Sequence, residues 1–158
     1  MSLVRRFALG LIASAGLLLA SVVPASAVPI TAGVPFTVEL TGEAEVNTAG
    51  VPNQGDLDGT GTATLTINPG LGTVCYTIEV AGVEPLTAAH IHVAPSTLPG
   101  PVVVPLPVGP SGGSGCTAVS RDLVLAIITD PSAYYVNVHN ATYPAGALRG
   151  QLDQARVL

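Results

Sequence analysis

Lysine is absent from this chain, methionine occurs only as Met1, and there are just three histidines and two cysteines. Each shortage excludes something. Five arginines against ten acidic residues give a net charge of −5. A lysine-free acidic chain has no basic footprint to neutralise phosphates, which excludes nucleic acid as a partner and sets the chain against anionic membrane surfaces. With no methionine beyond Met1, and no His after Cys116 until His139, the ligands of a blue-copper site are missing. Three histidines are also too few for a dinuclear copper–zinc centre. Only 9% of residues are charged, so the fold leans on apolar packing, with Thr and Ser supplying much of its surface.

The N-terminus reads as an export signal. Arg5 and Arg6 precede an uncharged Leu/Ala/Val stretch over 7–23, and Pro24-Ala25-Ser26-Ala27 supplies a helix breaker and an A-x-A cleavage pattern. We expect a signal peptide at 1–27, a linker at 28–35, one domain at 36–152 and a tail at 153–158. Cleavage leaves about 130 residues, enough for one core, and no stable membrane span. The mature protein is thus expected to be secreted or held in the cell envelope, and its partner to be an extracellular protein or surface ligand. In an oxidising compartment Cys75 and Cys116 read as a disulfide. Closing a loop of about 40 residues, it contributes on the order of 3–4 kcal/mol.

Apolar residues alternate with polar ones in short runs between turn signals, the period of half-buried strands. Phe36, Val38 and Leu40 alternate with Thr37, Glu39 and Thr41. Ala63, Leu65 and Ile67 form one arm of a hairpin across Asn68-Pro69-Gly70, and Val74, Tyr76, Ile78 and Val80 form the other. Further strands are predicted at 88–93, 102–106, 134–140 and 147–152, and Pro101 and Pro105 put the second of these at an edge. Residues 122–128 suit either a strand or a short helix. Residues 45–61 and 94–115 read as irregular surface loops. Seven or so short strands around one core predict an all-β fold, a single antiparallel β-sandwich of immunoglobulin-like or superoxide-dismutase-like type with long loops.

On this pattern Ala89, Ile91 and Val93 take one face of a strand, and His90 and His92 the other. Val136 and Val138 turn inward, with Asn137 and His139 opposite. Leu148 and Leu152 turn inward, with Arg149 and Gln151 opposite. All three histidines therefore lie on non-core faces beside Asn137, Arg149 and Gln151, a polar face expected to be the working surface. Two His at i and i+2 with a third from another strand could form a three-imidazole site for Zn or Cu, with Asn137 or Gln151 holding the tautomers. Against this stands the plainer reading of three histidines bonded to strand ends and loops.

Several of these segments also carry a family likeness. Ala88-Ala89-His90-Ile91-His92, Gly100-Pro101-Val102-Val103-Val104, Tyr134-Tyr135-Val136-Asn137-Val138-His139 and Gly146-Ala147-Leu148-Arg149-Gly150-Gln151-Leu152 resemble the CHRD (chordin) domain, as does Leu40-Thr41-Gly42-Glu43-Ala44-Glu45-Val46. The resemblance covers about residues 36–152. It implies an extracellular β-sandwich and does not imply an enzyme. In the family a Gly usually follows His-x-His, whereas Val93-Ala94-Pro95 stands here, so a reshaped loop is expected after the motif.

Other patterns carry less. Gly109-Pro110-Ser111-Gly112-Gly113 has the form of a nucleophile elbow, but no helical pattern follows it. Asp56-Leu57-Asp58-Gly59 lacks the remaining ligands of a calcium loop. Asn140-Ala141-Thr142 is a glycosylation sequon. No catalytic set emerges. The sequence reads first as a non-enzymatic extracellular binding or structural module with no certain cofactor. The alternative is a mononuclear metal-binding protein using His90, His92 and His139.

Overall fold

A computed structural model describes residues 33–152. The expected signal peptide at 1–27 and the tail at 153–158 lie outside the described residues; Val34 and Pro35, assigned to the linker, begin the first strand. The chain order is β1 Val34–Thr41, β2 Thr60–Asn68, β3 Thr73–Ala81, β4 Leu86–Val93, β5 Val102–Pro105, β6 Gly112–Ala118, α1 Arg121–Thr129, a 3-10 turn Pro131–Ala133, β7 Tyr134–Asn140 and β8 Leu148–Gln151. Among the described residues no helix is long and apolar enough to cross a membrane.

The expected two-sheet sandwich is not what forms. All eight strands belong to one sheet, in the order β5-β4-β7-β8-β1-β2-β3-β6. That sheet wraps about 275° around an axis into a near-barrel. The link that prevents two separate sheets is β8 to β1, where Thr41 pairs with Arg149. Gly150 permits this approach, because a Cβ there would run into the Glu39 carbonyl. Closure stops short at β5 and β6. Pro105 has no N–H to continue a ladder, and the seam is bridged by side chains. Thr117 Oγ1 donates to the Pro105 carbonyl at 2.8 Å and Tyr76 Oη to the Pro107 carbonyl at 2.6 Å.

The alternating apolar residues fill the interior. Phe36, Val38, Leu40, Leu65, Ile67, Val74, Ile78, Ile91, Val136, Val138 and Leu148 are all buried there. The β2–β3 hairpin pairs from Thr60↔Ala81 to Asn68↔Thr73. Its turn is held by Asn68 Oδ1, which accepts from the Gly70 and Leu71 amides at 2.9 Å each. The ambiguous segment over 122–128 is helical. Ser120 caps its start by accepting from Leu123 N–H, and Val124 and Ile127 are buried.

The loop reading of 94–115 is corrected by β6. This Gly/Ser-rich strand shows no alternation because its stability comes from its backbone ladder to β3 and from one covalent link. Cys75 and Cys116 are cross-strand partners and are disulfide-bonded, 41 residues apart in sequence.

Candidate metal centre

His90 and His92 leave β4 on the outer face because Ala89 and Ile91, their neighbours, are held inside. β7 pairs with β4 so that His90 faces Asn137, His92 faces Tyr135 and Ala88 faces His139. This register puts His139 diagonally beside His90. The outcome is a convergent cluster: one ligand nitrogen from each histidine, all within 4.8 Å of one another. His90 Nδ1 and His139 Nε2 are 3.2 Å apart.

Two of the rings are oriented by backbone carbonyls. His92 Nδ1 lies 2.8 Å from Gly100 O and His139 Nδ1 lies 3.2 Å from Pro144 O. A carbonyl only accepts, so each Nδ1 carries the proton and each Nε2 keeps its lone pair. His90 Nδ1–H must then donate to His139 Nε2. His92 Nε2 is buried and, among the described residues, has no hydrogen-bond partner. The expected tautomer holders, Asn137 and Gln151, do not perform this role. Gly100 and Pro144 do, because the loops that carry them fold back over the strand ends.

The electrostatics favour neutral imidazoles. Burial, aided by His90 and His92, lowers the His139 pKa to about 4. Burial also lowers His92, with Arg149 adding to the effect against the Gly100 bond, and lowers His90, with His92 adding. At neutral pH all three rings can therefore offer lone pairs without first losing a proton to solvent.

The polar face expected to meet solvent is covered. Asn137 and Arg149 are each 1% exposed, and they pair across the β7–β8 hairpin as the alternation implies. The inward set Val136, Val138, Leu148 and Leu152 is buried too. Both sides of these strands are thus inaccessible, because residues 42–56 and 94–100 lie over the outer face. Arg149 stacks on Tyr135, its Cζ 3.6 Å from the ring centroid, and donates to the Pro95, Leu98 and Gln151 oxygens. Gln151 Nε2 donates to Ala94 O and Ser132 O. Asn137 Nδ2 donates to Glu45 Oε1 at 2.6 Å. These residues fasten loops; they do not present a surface.

Two participants escaped the sequence. Tyr135 stacks on His92 with centroids 4.9 Å apart and planes 13° from parallel. Its parity with Asn137 and His139 on β7 was a readable signal. Glu45 was marked only by its place in the family-like segment 40–46, and its burial had no signal, since it begins a segment read as an exposed loop. It is 4% exposed, and burial raises its pKa to about 7 against the opposing pull of Arg149 and Asn137.

The remaining sequence patterns are built into local turns and strands. Gly109 to Gly113 forms a turn, with Gly109 bridged to Gly112, that leads into strand β6, so a nucleophile elbow is excluded. Asp56 Oδ1 accepts from Asp58 N–H, a local turn. Asn140, the sequon residue, is 1% exposed.

A model of the CHRD domain matches residues 36–152. Comparison with curated proteins and with solved structures finds no match.

Proposed function

The chain belongs to the CHRD domain family, and since a family fold fixes no reaction, we propose from its site that it is an extracytoplasmic protein binding one transition-metal ion through His90, His92 and His139. The carrying observation is His92 Nε2, a buried acceptor without a partner among the described residues, in a cluster whose ligand nitrogens lie within 4.8 Å of one another. Leaving a buried polar atom unsatisfied costs about 1–3 kcal/mol, and a cation beside it would remove that cost. The donor set of three imidazoles suits Zn²⁺ or Cu²⁺ and not the oxygen-preferring Ca²⁺ or Mg²⁺. His92 and His139 would bind through Nε2, already oriented by Gly100 and Pro144. His90 would bind through Nδ1 after its proton shifts to Nε2. Export is supported by the signal-like N-terminus and by the Cys75–Cys116 disulfide.

Metal analysis and calorimetric titration of tag-free protein test this reading. One equivalent of Zn²⁺ or Cu²⁺ should bind, and His92→Ala should weaken that binding by at least about 100-fold. Equal uptake by the variant would refute the site. A non-enzymatic binding or structural module, in which the histidines only secure loops, would then remain. The bonds from His92 to Gly100 and from His139 to Pro144 favour that second reading as well.

A further inference from the structure

Residues 94–100 are tied to the histidine face at five points. Arg149 donates through Nη1 to Leu98 O at 3.1 Å and through Nη2 to Pro95 O at 2.9 Å. Gln151 Nε2 reaches Ala94 O at 2.8 Å. The Tyr135 hydroxyl accepts from Gly100 N–H at 3.0 Å. The fifth tie, His92 Nδ1 to Gly100 O at 2.8 Å, differs in kind because it comes from a candidate metal ligand. Gly100 is therefore held through both peptide groups that flank its Cα, its N–H by Tyr135 and its C=O by His92, two rings stacked on each other.

We infer that residues 94–100 form a strap whose hold on the protein is coupled to metal at the histidines, with Tyr135 and Arg149 as positioning residues that act through Gly100 and His92. The inference rests on the metal-binding reading above. A cation on His92 Nε2 draws charge from the ring and turns Nδ1–H into a charge-assisted donor. Such bonds are roughly twice as strong as neutral ones, so metal should tighten the strap. Linkage is reciprocal: the factor by which metal stabilises the strap is the factor by which the strap stabilises bound metal. Tyr135 fixes the face of the His92 ring by stacking and its edge by anchoring Gly100. Arg149 backs the same tyrosine and fastens the middle of the strap. A ligand oriented in this way is expected to lose about 10–100-fold in metal affinity when its outer support goes.

Amide exchange in the tag-free full chain, with and without Zn²⁺, provides the test. The probes are Leu98 N–H, bonded to Pro95 O at 3.2 Å, and Val93 N–H, bonded to Pro101 O at 3.1 Å. In the wild type Zn²⁺ should slow Leu98 exchange by about tenfold. Tyr135→Phe keeps the stacked ring and removes only the hydroxyl. It should bind Zn²⁺ about tenfold more weakly and lose most of the zinc-induced slowing at Leu98. Wild-type protein that binds Zn²⁺ with unchanged Leu98 exchange would overturn the coupling without touching the metal site, and this arm needs no variant. Wild-type Zn²⁺ affinity in Tyr135→Phe would overturn the positioning role. Absence of any Zn²⁺ binding by the wild type would instead remove the metal reading, and the strap coupling with it.

Discussion

Glu45→Gln isolates the energetic consequence of covering the outer face of β7 and β8. The Glu45 carboxyl is buried between its own segment, residues 42–56, and the β7–β8 hairpin, accepts from Asn137 Nδ2 at 2.6 Å, and has its pKa raised from 4.5 to about 7. Desolvation is the leading cause, and the attraction of Arg149 only partly offsets it. The folded state therefore holds this proton more tightly than the unfolded chain does. Stability associated with the neutral carboxyl is complete below about pH 4.5 and is lost as pH rises through about 7. At 1.36 kcal/mol per pKa unit, the loss across that window is about 3 kcal/mol. Gln mimics the neutral acid and keeps an oxygen for Asn137, so its stability should not carry this decline. Urea unfolding followed by far-UV circular dichroism from pH 5 to pH 8, with chelator present to keep metal out, measures the difference directly. The variant should exceed the wild type by only about 1 kcal/mol at pH 5 and by about 3 kcal/mol at pH 8. A variant less stable than the wild type at pH 8 would mean that the ionised Glu45–Arg149 pair outweighs desolvation, and the reasoning would fail.

Three further expectations can be checked alongside. Because burial lowers all three histidines, His139 to about 4, Zn²⁺ binding should persist below the ordinary imidazole pKa of about 6.5; titrations that lose half their binding at pH 6.5 would contradict this. Denatured, unreduced protein should show no free thiol, and reduction or Cys116→Ala should cost about 3–4 kcal/mol in chemical denaturation by the loop-entropy account; a loss well under 1 kcal/mol would show that the β3–β6 ladder holds without the bond. Gly150→Ala forces a Cβ against the Glu39 carbonyl where β8 meets β1, so it should destabilise by about 1–3 kcal/mol; an unchanged unfolding midpoint would refute the close approach.

What the sequence determined by itself follows from the pleat of a strand. Alternation put Ile91, Val136, Val138 and Leu148 inside and His90, His92, His139, Asn137, Arg149 and Gln151 on non-core faces, because side chains alternate sides whatever the sheet does next; that the β4 histidines meet the β7 and β8 residues on one face was decided by strand pairing. Two cysteines in a chain whose N-terminus reads as an export signal likewise predicted the disulfide. Tertiary structure decided the rest. Alternation reports that one face is buried and says nothing about whether the buried faces belong to two sheets or to one sheet curled on itself; the single Thr41–Arg149 bridge made the difference. β6 was hidden because glycines and serines hold a ladder through backbone groups that every residue has. The covering of the polar face was hidden for a related reason. The Gly100 and Pro144 carbonyls that orient His92 and His139 act through backbone atoms, and the segment that carries Glu45 is brought to β7 and β8 by long-range chain return. Neither leaves a mark in local residue types.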